Sequence, residues 1–196
     1  MSDSDEGARQ VAPSGRKDAR RNKETLLDAA ATVFVTSGVD APVRDIAAKA
    51  GVGLGTIYRH FPTRADLIIG VYRHQVDACA DAGPALLATS SPYTALGQWI
   101  NLFVDFLVTK HGLAAVLQAD NADFEALHAY FIDRLLPVCT ELLEAAAVAG
   151  EIRPDIDAYQ LMRGVGNLCI GTESDPRYNA RRMAELLVAG LRRSHH

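Results

Sequence analysis

The stretch from Val43 to Phe61 constrains the fold of this chain more than any other, because it predicts two short helices separated by a glycine turn. Gly51 ends the first helix, since glycine adopts the left-handed backbone conformation at little cost. Gly53 stands where the second helix needs its N-cap. A helix this short is unstable alone. It must be held by neighbours while its polar face points outward, as in a helix-turn-helix whose second helix enters the major groove of DNA.

The spacing of apolar residues divides this second helix into an inward and an outward face. Ile57 and Phe61 lie four positions apart and are predicted to face inward. Gly55 and Arg59 then fall on the opposite side, where glycine removes side-chain bulk near the bases. Arg59 either offers a bidentate fork to a guanine edge or contacts phosphate or solvent. Polar donors that suit phosphate oxygens stand on the flanks: Thr56, Tyr58 and His60.

These residues resemble the DNA-binding domain of the TetR/AcrR (tetracycline-repressor-like) family of transcriptional regulators. The similarity covers about residues 20–75 and includes the segments RDIAAKAGVG, GTIYRHF and TRADL. The resemblance implies backbone contacts from the flanks of the second helix. It also implies that Arg44 reaches a base or a phosphate, and that Arg64 binds phosphate.

Two positions depart from the pattern of the family. Pro42 stands where relatives often have a serine or threonine that caps the helix and touches phosphate. Proline suits a first helical turn but donates no hydrogen bond, so one backbone contact is expected to be missing. Leu54 replaces a side chain that is frequently polar, so we expect an apolar contact there, such as one to a thymine methyl group.

The rest of the chain has apolar residues at helical spacing and no stretch with strand alternation. The sequence therefore predicts an all-α fold of about nine helices. Residues 1–17 are expected to form a disordered N-terminal arm, since they offer little to bury. A three-helix helix-turn-helix DNA-binding domain follows over 18–62, and a larger helical effector-binding and dimerisation domain over 63–196.

Several helix ends are predicted from single residues. Thr63 is the expected N-cap of the fourth helix, with Asp66 at its third helical position. The Gly83–Pro84 pair is expected to stop that helix, and Gly112 to break the next one. The last helix is expected to open at Asp175–Pro176.

The net charge of −4 conceals an asymmetry along the chain. Residues 16–64 hold nine basic and five acidic side chains, a net charge of +4, whereas residues 74–196 hold nine and fifteen, a net charge of −6. This division is typical of a basic module that meets phosphate and an acidic body that does not, although chance clustering of charge gives the same pattern. The basic run from Arg16 to Lys23 is either a solvated helix face or an arm that touches DNA.

Other features of the sequence argue against a disulfide-rich, metal-binding, enzymatic or membrane protein. The three cysteines are far apart without metal-ligand spacing, so neither a disulfide framework nor a zinc site is predicted, and each is expected to be a small buried hydrophobe. His74 and Asp77 at i, i+3 are a weak metal signal by themselves. No Gly-rich phosphate loop or supported catalytic set occurs, so we expect neither an enzyme nor a cofactor. The first ten residues lack a signal-peptide core and no apolar run could span a bilayer, so a cytoplasmic protein is expected.

A single helix-turn-helix has too small a surface for tight specific binding, so symmetric pairing on a palindromic operator is expected. The resemblance implies a homodimer through about 157–192, where Gly164, Gly166 and Gly171 allow close helix approach or serve packing within one chain. It also implies a small-molecule effector pocket, although aromatic residues at helical spacing more often form a plain core, which is expected for most of those found here. The candidate lining residues are Tyr72, Gln75, Cys79, Trp99, Phe103, Phe106, Phe131 and Leu135. The function expected is a homodimeric repressor that an effector releases from DNA, with an activator or a ligand-independent repressor as the alternative.

Overall fold

The computed structural model describes residues 13–117, 121–170, 175 and 177–193, with side chains described over 21–108 and from 125 onward. These residues form eight α-helices and no strand, which confirms the all-α prediction. An isolated antiparallel bridge joins Ile152 to Arg192. The helices are α1 (Pro13–Ser37), α2 (Val43–Ala50), α3 (Leu54–His60), α4 (Arg64–Thr89), α5 (Pro92–Leu117), α6 (Asn121–Val148), α7 (Ala158–Leu168) and α8 (Ala180–Ala189).

The first helix begins earlier than the sequence suggested. α1 starts at Pro13, so residues 13–17 of the arm expected to be disordered are helical, and residues 1–12 lie outside the described part. Proline is suited to the first helical position because its φ angle is already helical. The basic residues from Arg16 to Lys23, with Ala19 among them, are good helix formers.

Helix α4 runs through the predicted stop at Gly83–Pro84 and ends only at Thr89, so that prediction is wrong. A Cβ atom at Gly83 would collide with the side chain of Val138 on α6, so glycine permits the close approach of these two helices. Packing of α4 on α5 and α6 stabilises the helix by more than it loses through the hydrogen bond that Pro84 cannot donate.

Two further helix ends differ from the prediction. α5 continues through Gly112, because packing on α4, α6 and α8 outweighs the cost of about 1 kcal/mol for glycine inside a helix. This continuity gives eight described helices where about nine were expected. α8 begins at Ala180 after the N-cap Asn179, while Asp175 accepts hydrogen bonds from Arg177 in the preceding turn.

One apolar core runs through both ends of the described chain, from Leu26 on α1 to Leu191 after α8. Its largest fully buried side chain, Trp99 on α5, donates its indole N–H to the carbonyl oxygen of Cys79 on α4 at 2.9 Å. α4 therefore packs into the body along its second half and against α1 near its start. None of the described helices is long and apolar enough to cross a membrane.

Candidate nucleic-acid interface

The turn between α2 and α3 has the geometry that its glycines predict. Gly51 adopts a left-handed conformation with φ of 68°, and its N–H points to the carbonyl oxygens of Ala47 and Ala48. Gly53 is the N-cap of α3 and uses no side-chain bond. Its carbonyl accepts the N–H of Thr56 at 2.9 Å. Both predictions for this turn are confirmed, and together they set the direction in which α3 leaves the turn.

The inward face of α3 is also as predicted. Ile57 is 1% exposed and Phe61 is 5% exposed. A Cβ atom at Gly70 of α4 would lie 2.6 Å from Cε1 of Phe61, and Nζ of Lys23 on α1 lies 5.6 Å from the centre of the Phe61 ring. The short recognition helix is thus held at its end between α1 and α4.

The outward face of α3 carries the predicted DNA-contacting residues. Tyr58 is 50% exposed and Leu54 is 45% exposed, which is high for side chains of this size. Thr56 is half-buried, and the remaining candidates on the helix are exposed: Gly55, Arg59 and His60. A Cβ atom at Gly55 would meet no atom of the protein within 4 Å. This combination leaves the polar face of α3 accessible to a ligand as large as a duplex.

The N-terminus of α2 presents a second possible contact. Arg44 is 77% exposed, and its Nε lies 3.6 Å from a carboxylate oxygen of the neighbouring Asp45. Pro42 is the N-cap and makes no side-chain cap bond, as expected for a residue without a donor. Exposed basic side chains outnumber exposed acidic ones on the described residues of α1 to α3, because two aspartates, Asp28 and Asp45, stand against five lysine or arginine residues: Arg21, Lys23, Arg44, Lys49 and Arg59.

Arg64 has contacts that the sequence did not suggest. Its Nη2 donates to the carbonyl oxygen of Ala41 at 2.8 Å and to that of Val39, while its Nε is buried without a partner. Both carbonyls precede α2 directly. The first residue of α4 is therefore tied to the loop that enters the helix-turn-helix. No spacing rule reveals this tie, because its partners lie more than twenty positions away in the chain.

The start of α4 is fixed further by a capping box. The N–H of Asp66 donates to Oγ1 of Thr63 at 3.1 Å, and the N–H of Thr63 donates to the Asp66 carboxylate at 2.9 Å. Hydrogen bonds from the Thr63 side chain and backbone lower the pKa of Asp66, because they stabilise its charged form. The predicted N-cap and its acidic partner are confirmed.

The residues proposed for an effector pocket are divided by the structure. Phe103 and Phe131 line a cavity of about 310 Å³ between α5, α6 and α7. Nine further residues complete its lining: Leu107, His128, Ile132, Tyr159, Met162, Arg163, Gly166, Asn167 and Ile170. Three α7 members of the lining, Tyr159, Met162 and Arg163, were not predicted, because the amphipathic pattern of that helix was assigned to dimerisation.

A second cavity, of about 230 Å³, holds Gln75, Cys79 and Phe106, with Leu102 and Asp105 at its edge. The other three candidates are buried in the core between the helices: Tyr72, Trp99 and Leu135. Burial raises the pKa of Tyr72, and it raises that of Cys79 to about 12. All three cysteines are buried and none forms a disulfide, as expected of small apolar residues.

Aromatic side chains connect the cavity between α5, α6 and α7 to α4. The ring centroid of Phe131 lies 5.8 Å from that of Phe106, and the Phe106 centroid lies 5.5 Å from that of Tyr72 on α4. Phe103 lies 5.9 Å from Phe131 and stacks on Trp99 at 5.5 Å. A continuous aromatic cluster thus extends from the cavity wall to α4, the helix that adjoins the DNA-binding unit.

His74 and Asp77, whose spacing was a weak indication of a metal site, instead form contacts with other helices. His74 lies 2.7 Å from the carboxylate of Asp28 on α1. Asp77 accepts the hydroxyl of Tyr130 at 2.7 Å and Nε of Arg134 at 2.8 Å. Each residue therefore joins α4 to a different helix. The described residues contain no cluster of three or more His, Cys, Asp or Glu side chains that could hold a metal ion.

Comparison with known proteins finds similar proteins and protein families over most of the chain. Residues 26–71 match the family described as bacterial regulatory proteins, tetR family, and residues 91–193 match the SbtR-like transcriptional regulator C-terminal domain. A TetR transcriptional regulator from Streptomyces coelicolor is 36% identical, with a TM-score of 0.76 over 88% of this chain and 99% of that one. The TetR transcription regulatory protein from Mycobacterium vanbaalenii is 31% identical, with a TM-score of 0.72 over 91% of this chain and 99% of that one.

A curated relative agrees at lower similarity. The HTH-type transcriptional repressor KstR2 of Mycolicibacterium smegmatis is 25% identical over 160 residues, which are 78% of each chain. These matches extend across the helix-turn-helix and the helical body alike. With the outward face of α3 and the continuous helical body, they show that the chain belongs to the TetR family and is a DNA-binding regulator of transcription.

Proposed function

We propose that this protein is a homodimeric repressor that binds a palindromic operator and is released from it by a small-molecule effector. In this proposal residues 18–62 form the DNA-binding domain, and residues 63–196 bind the effector and form the dimer. The main support for this proposal is the outward face of α3. That face is exposed, while Ile57 and Phe61 on the opposite face are buried and hold the helix in place. KstR2, a relative of similar length, is named a repressor.

Within the operator, Arg59 is proposed to read a base and the flanks of α3 to clamp the phosphates. Arg59→Ala is then expected to weaken binding at particular base pairs by about 1–3 kcal/mol. His60→Ala and Tyr58→Phe should weaken binding to all sequences alike. Binding of each variant to a randomised operator library separates these effects. A uniform loss for Arg59→Ala would show that Arg59 does not read a base.

The remaining contacts complete the proposed interface. Leu54 is placed against a thymine methyl group, since its side chain is exposed on the same helix. Arg44 reaches a base or phosphate from the start of α2, and Thr56 bonds a phosphate oxygen. Arg64 was expected to bind phosphate, and its tie to the loop before α2 adds a positioning role to that expectation.

Dimerisation is proposed through α7 and α8. Met183 and Leu186 on α8 are 39% and 49% exposed and lie three residues apart, so they form one apolar strip. Gly164 on α7 packs within the chain, since a Cβ atom there would lie 3.6 Å from Cδ2 of Leu187. Gly171 lies outside the described residues, and Gly166 faces open space.

The dimer is tested by placing a charge in this strip. Met183→Glu and Leu186→Glu should convert the dimer to a monomer in sedimentation experiments and abolish tight operator binding. Val148→Glu is the matched control, because Val148 is an exposed apolar residue at the end of α6 and belongs to neither α7 nor α8. A variant that stays dimeric with a charge at both strip positions would place the interface elsewhere.

Effector release is proposed to act through α4. Linkage requires the effector to bind the DNA-free conformation more tightly, by a coupling of about 1–3 kcal/mol. Operator DNA must then weaken effector binding by the same factor, which a titration with and without operator measures. Equal affinities would leave a ligand-independent repressor or an activator, and transcription from an operator-bearing promoter distinguishes those two.

A further inference from the structure

The cavity between α5, α6 and α7 combines apolar walls with one strong cation among its described lining residues. Its floor consists of aromatic and aliphatic side chains: Phe103, Leu107, Phe131, Ile132 and Met162. Arg163 on α7 is the charged member of the described lining that stays ionised at all working pH values. No described aspartate or glutamate lines the cavity. This lining therefore favours a molecule that is mostly apolar and carries a negative charge.

Arg163 and Asn167 are both available to such a ligand. They lie four residues apart and so share one face of α7. Neither side chain has a hydrogen bond or ion pair within the described part of the chain, although other arginines of the body are paired with carboxylates, such as Arg134 with Asp77. An arginine fork binds a planar carboxylate through two parallel hydrogen bonds. Asn167 adds an N–H donor beside it.

The position of these groups orients the ligand. Within a single chain Arg163 and Asn167 are exposed, as is Tyr159, so they stand at the mouth of the cavity, on the face of α7 that the proposed dimer would turn toward its partner, whereas Phe103 and Phe131 are buried at its base. A carboxylate at the mouth keeps part of its hydration, which reduces the cost of binding a charge. The volume of about 310 Å³ is at the lower end of the range of about 300–1,000 Å³ for ligand pockets, so the body must be compact.

We propose that this cavity binds a compact aromatic or alicyclic carboxylate, with its ring against Phe103 and Phe131 and its carboxylate on Arg163. The inference rests on the proposed function in one respect, since it takes this cavity as the effector site. It adds the chemical class of the effector and names Arg163 as the residue that selects the charge.

The test uses three probes with one ring system: 2-naphthoate, its neutral amide 2-naphthamide, and the cation 2-naphthylmethylammonium. Calorimetric titration of the full chain should show that naphthoate binds about tenfold more tightly than the amide, since hydrogen bonds to a charged group are the stronger ones. The cation should bind most weakly. Equal affinities for the three probes would overturn the role of Arg163, and binding of none of them would overturn the ligand class.

Three variants test which residues are responsible for binding and for the preference for naphthoate. Arg163→Gln should reduce the naphthoate-to-amide ratio to about one while the amide still binds. Arg177→Gln should leave the ratio unchanged, because its side chain is 90% exposed and pairs only with the nearby Asp175. Gly166→Leu should block all binding, since Gly166 lines the cavity and a Cβ atom there meets nothing within 4 Å. If Gly166→Leu bound naphthoate normally, the probe would be in another site.

A final measurement distinguishes this inference from the proposed function. Operator affinity is measured with and without saturating naphthoate. Naphthoate that binds through Arg163 but leaves operator affinity unchanged confirms the ligand class and overturns effector release. Equal affinities of the unaltered protein for naphthoate and the amide, together with operator release by the amide, would confirm release and overturn the carboxylate class.

Discussion

Replacing Gly55 by alanine separates the stability of α3 from its contact with DNA. A Cβ atom at this position meets no protein atom within 4 Å, so the methyl group adds no strain within the fold. Alanine is more favourable than glycine in a helix by about 0.5–1 kcal/mol. For a chain of this size the melting temperature should then rise by about 1–4 °C.

The expected effect on DNA binding has the opposite sign. If α3 lies in the major groove, the outward Cβ of residue 55 points at the bases, and a methyl group must be fitted into a packed interface. Overpacking of close-packed sites costs about 1–3 kcal/mol. This free energy corresponds to a loss of operator affinity of about 5- to 150-fold.

Thermal denaturation and fluorescence anisotropy with labelled operator measure the two effects on the same sample. Gly97→Ala on α5 is the matched control, because its Cβ also meets nothing within 4 Å and it lies outside the DNA-binding unit. It should raise the melting temperature similarly and leave operator affinity unchanged. Full operator affinity in Gly55→Ala would refute the placement of this face of α3 against the bases.

Further predictions follow from single contacts. Thr63→Ala should lower the free energy of unfolding by about 1 kcal/mol, because the capping box of α4 is lost, and urea denaturation measures it. Arg64→Gln should lower stability and leave the salt dependence of operator binding unchanged if its role is the tie to Ala41; a slope smaller by about one would instead indicate a phosphate contact. Burial raises the pKa of Cys79 and Cys139 to about 12, so thiolate is scarce at pH 8 and a thiol reagent should label both only after unfolding. Rapid labelling of the native protein would contradict that burial.

The DNA-binding unit was predictable because its signals are local. Gly51 and Gly53 fix the turn through their own backbone conformations, and the spacing of Ile57 and Phe61 fixes which face is buried. Thr63 and Asp66 likewise interact within one helical turn. Each of these features depends on residues within about four positions, which is the range over which a sequence pattern carries direct structural information.

Features that depend on distant parts of the chain were missed. Gly83 was expected to end α4, but it allows the close approach of Val138, which lies far along the chain. The same applies to Gly112 in α5, where packing on three helices overrides a weak local preference. The cavity wall formed by α7 was missed for a related reason, since an amphipathic pattern shows that a face is used but not what it faces.

The tertiary contacts also supply a physical basis for effector control that the sequence alone only suggested. Phe131 lines the cavity between α5, α6 and α7 and contacts Phe106, which in turn contacts Tyr72 on α4. Arg64 at the start of α4 is bonded to the carbonyl of Ala41, immediately before α2. Because packed interiors are nearly incompressible, a ligand that displaces Phe131 must also displace its neighbours in this cluster. In the proposed mechanism, a shift of α4 reaches the helix-turn-helix through this polar tie, and a change in the cavity is therefore expected to alter the position of α3.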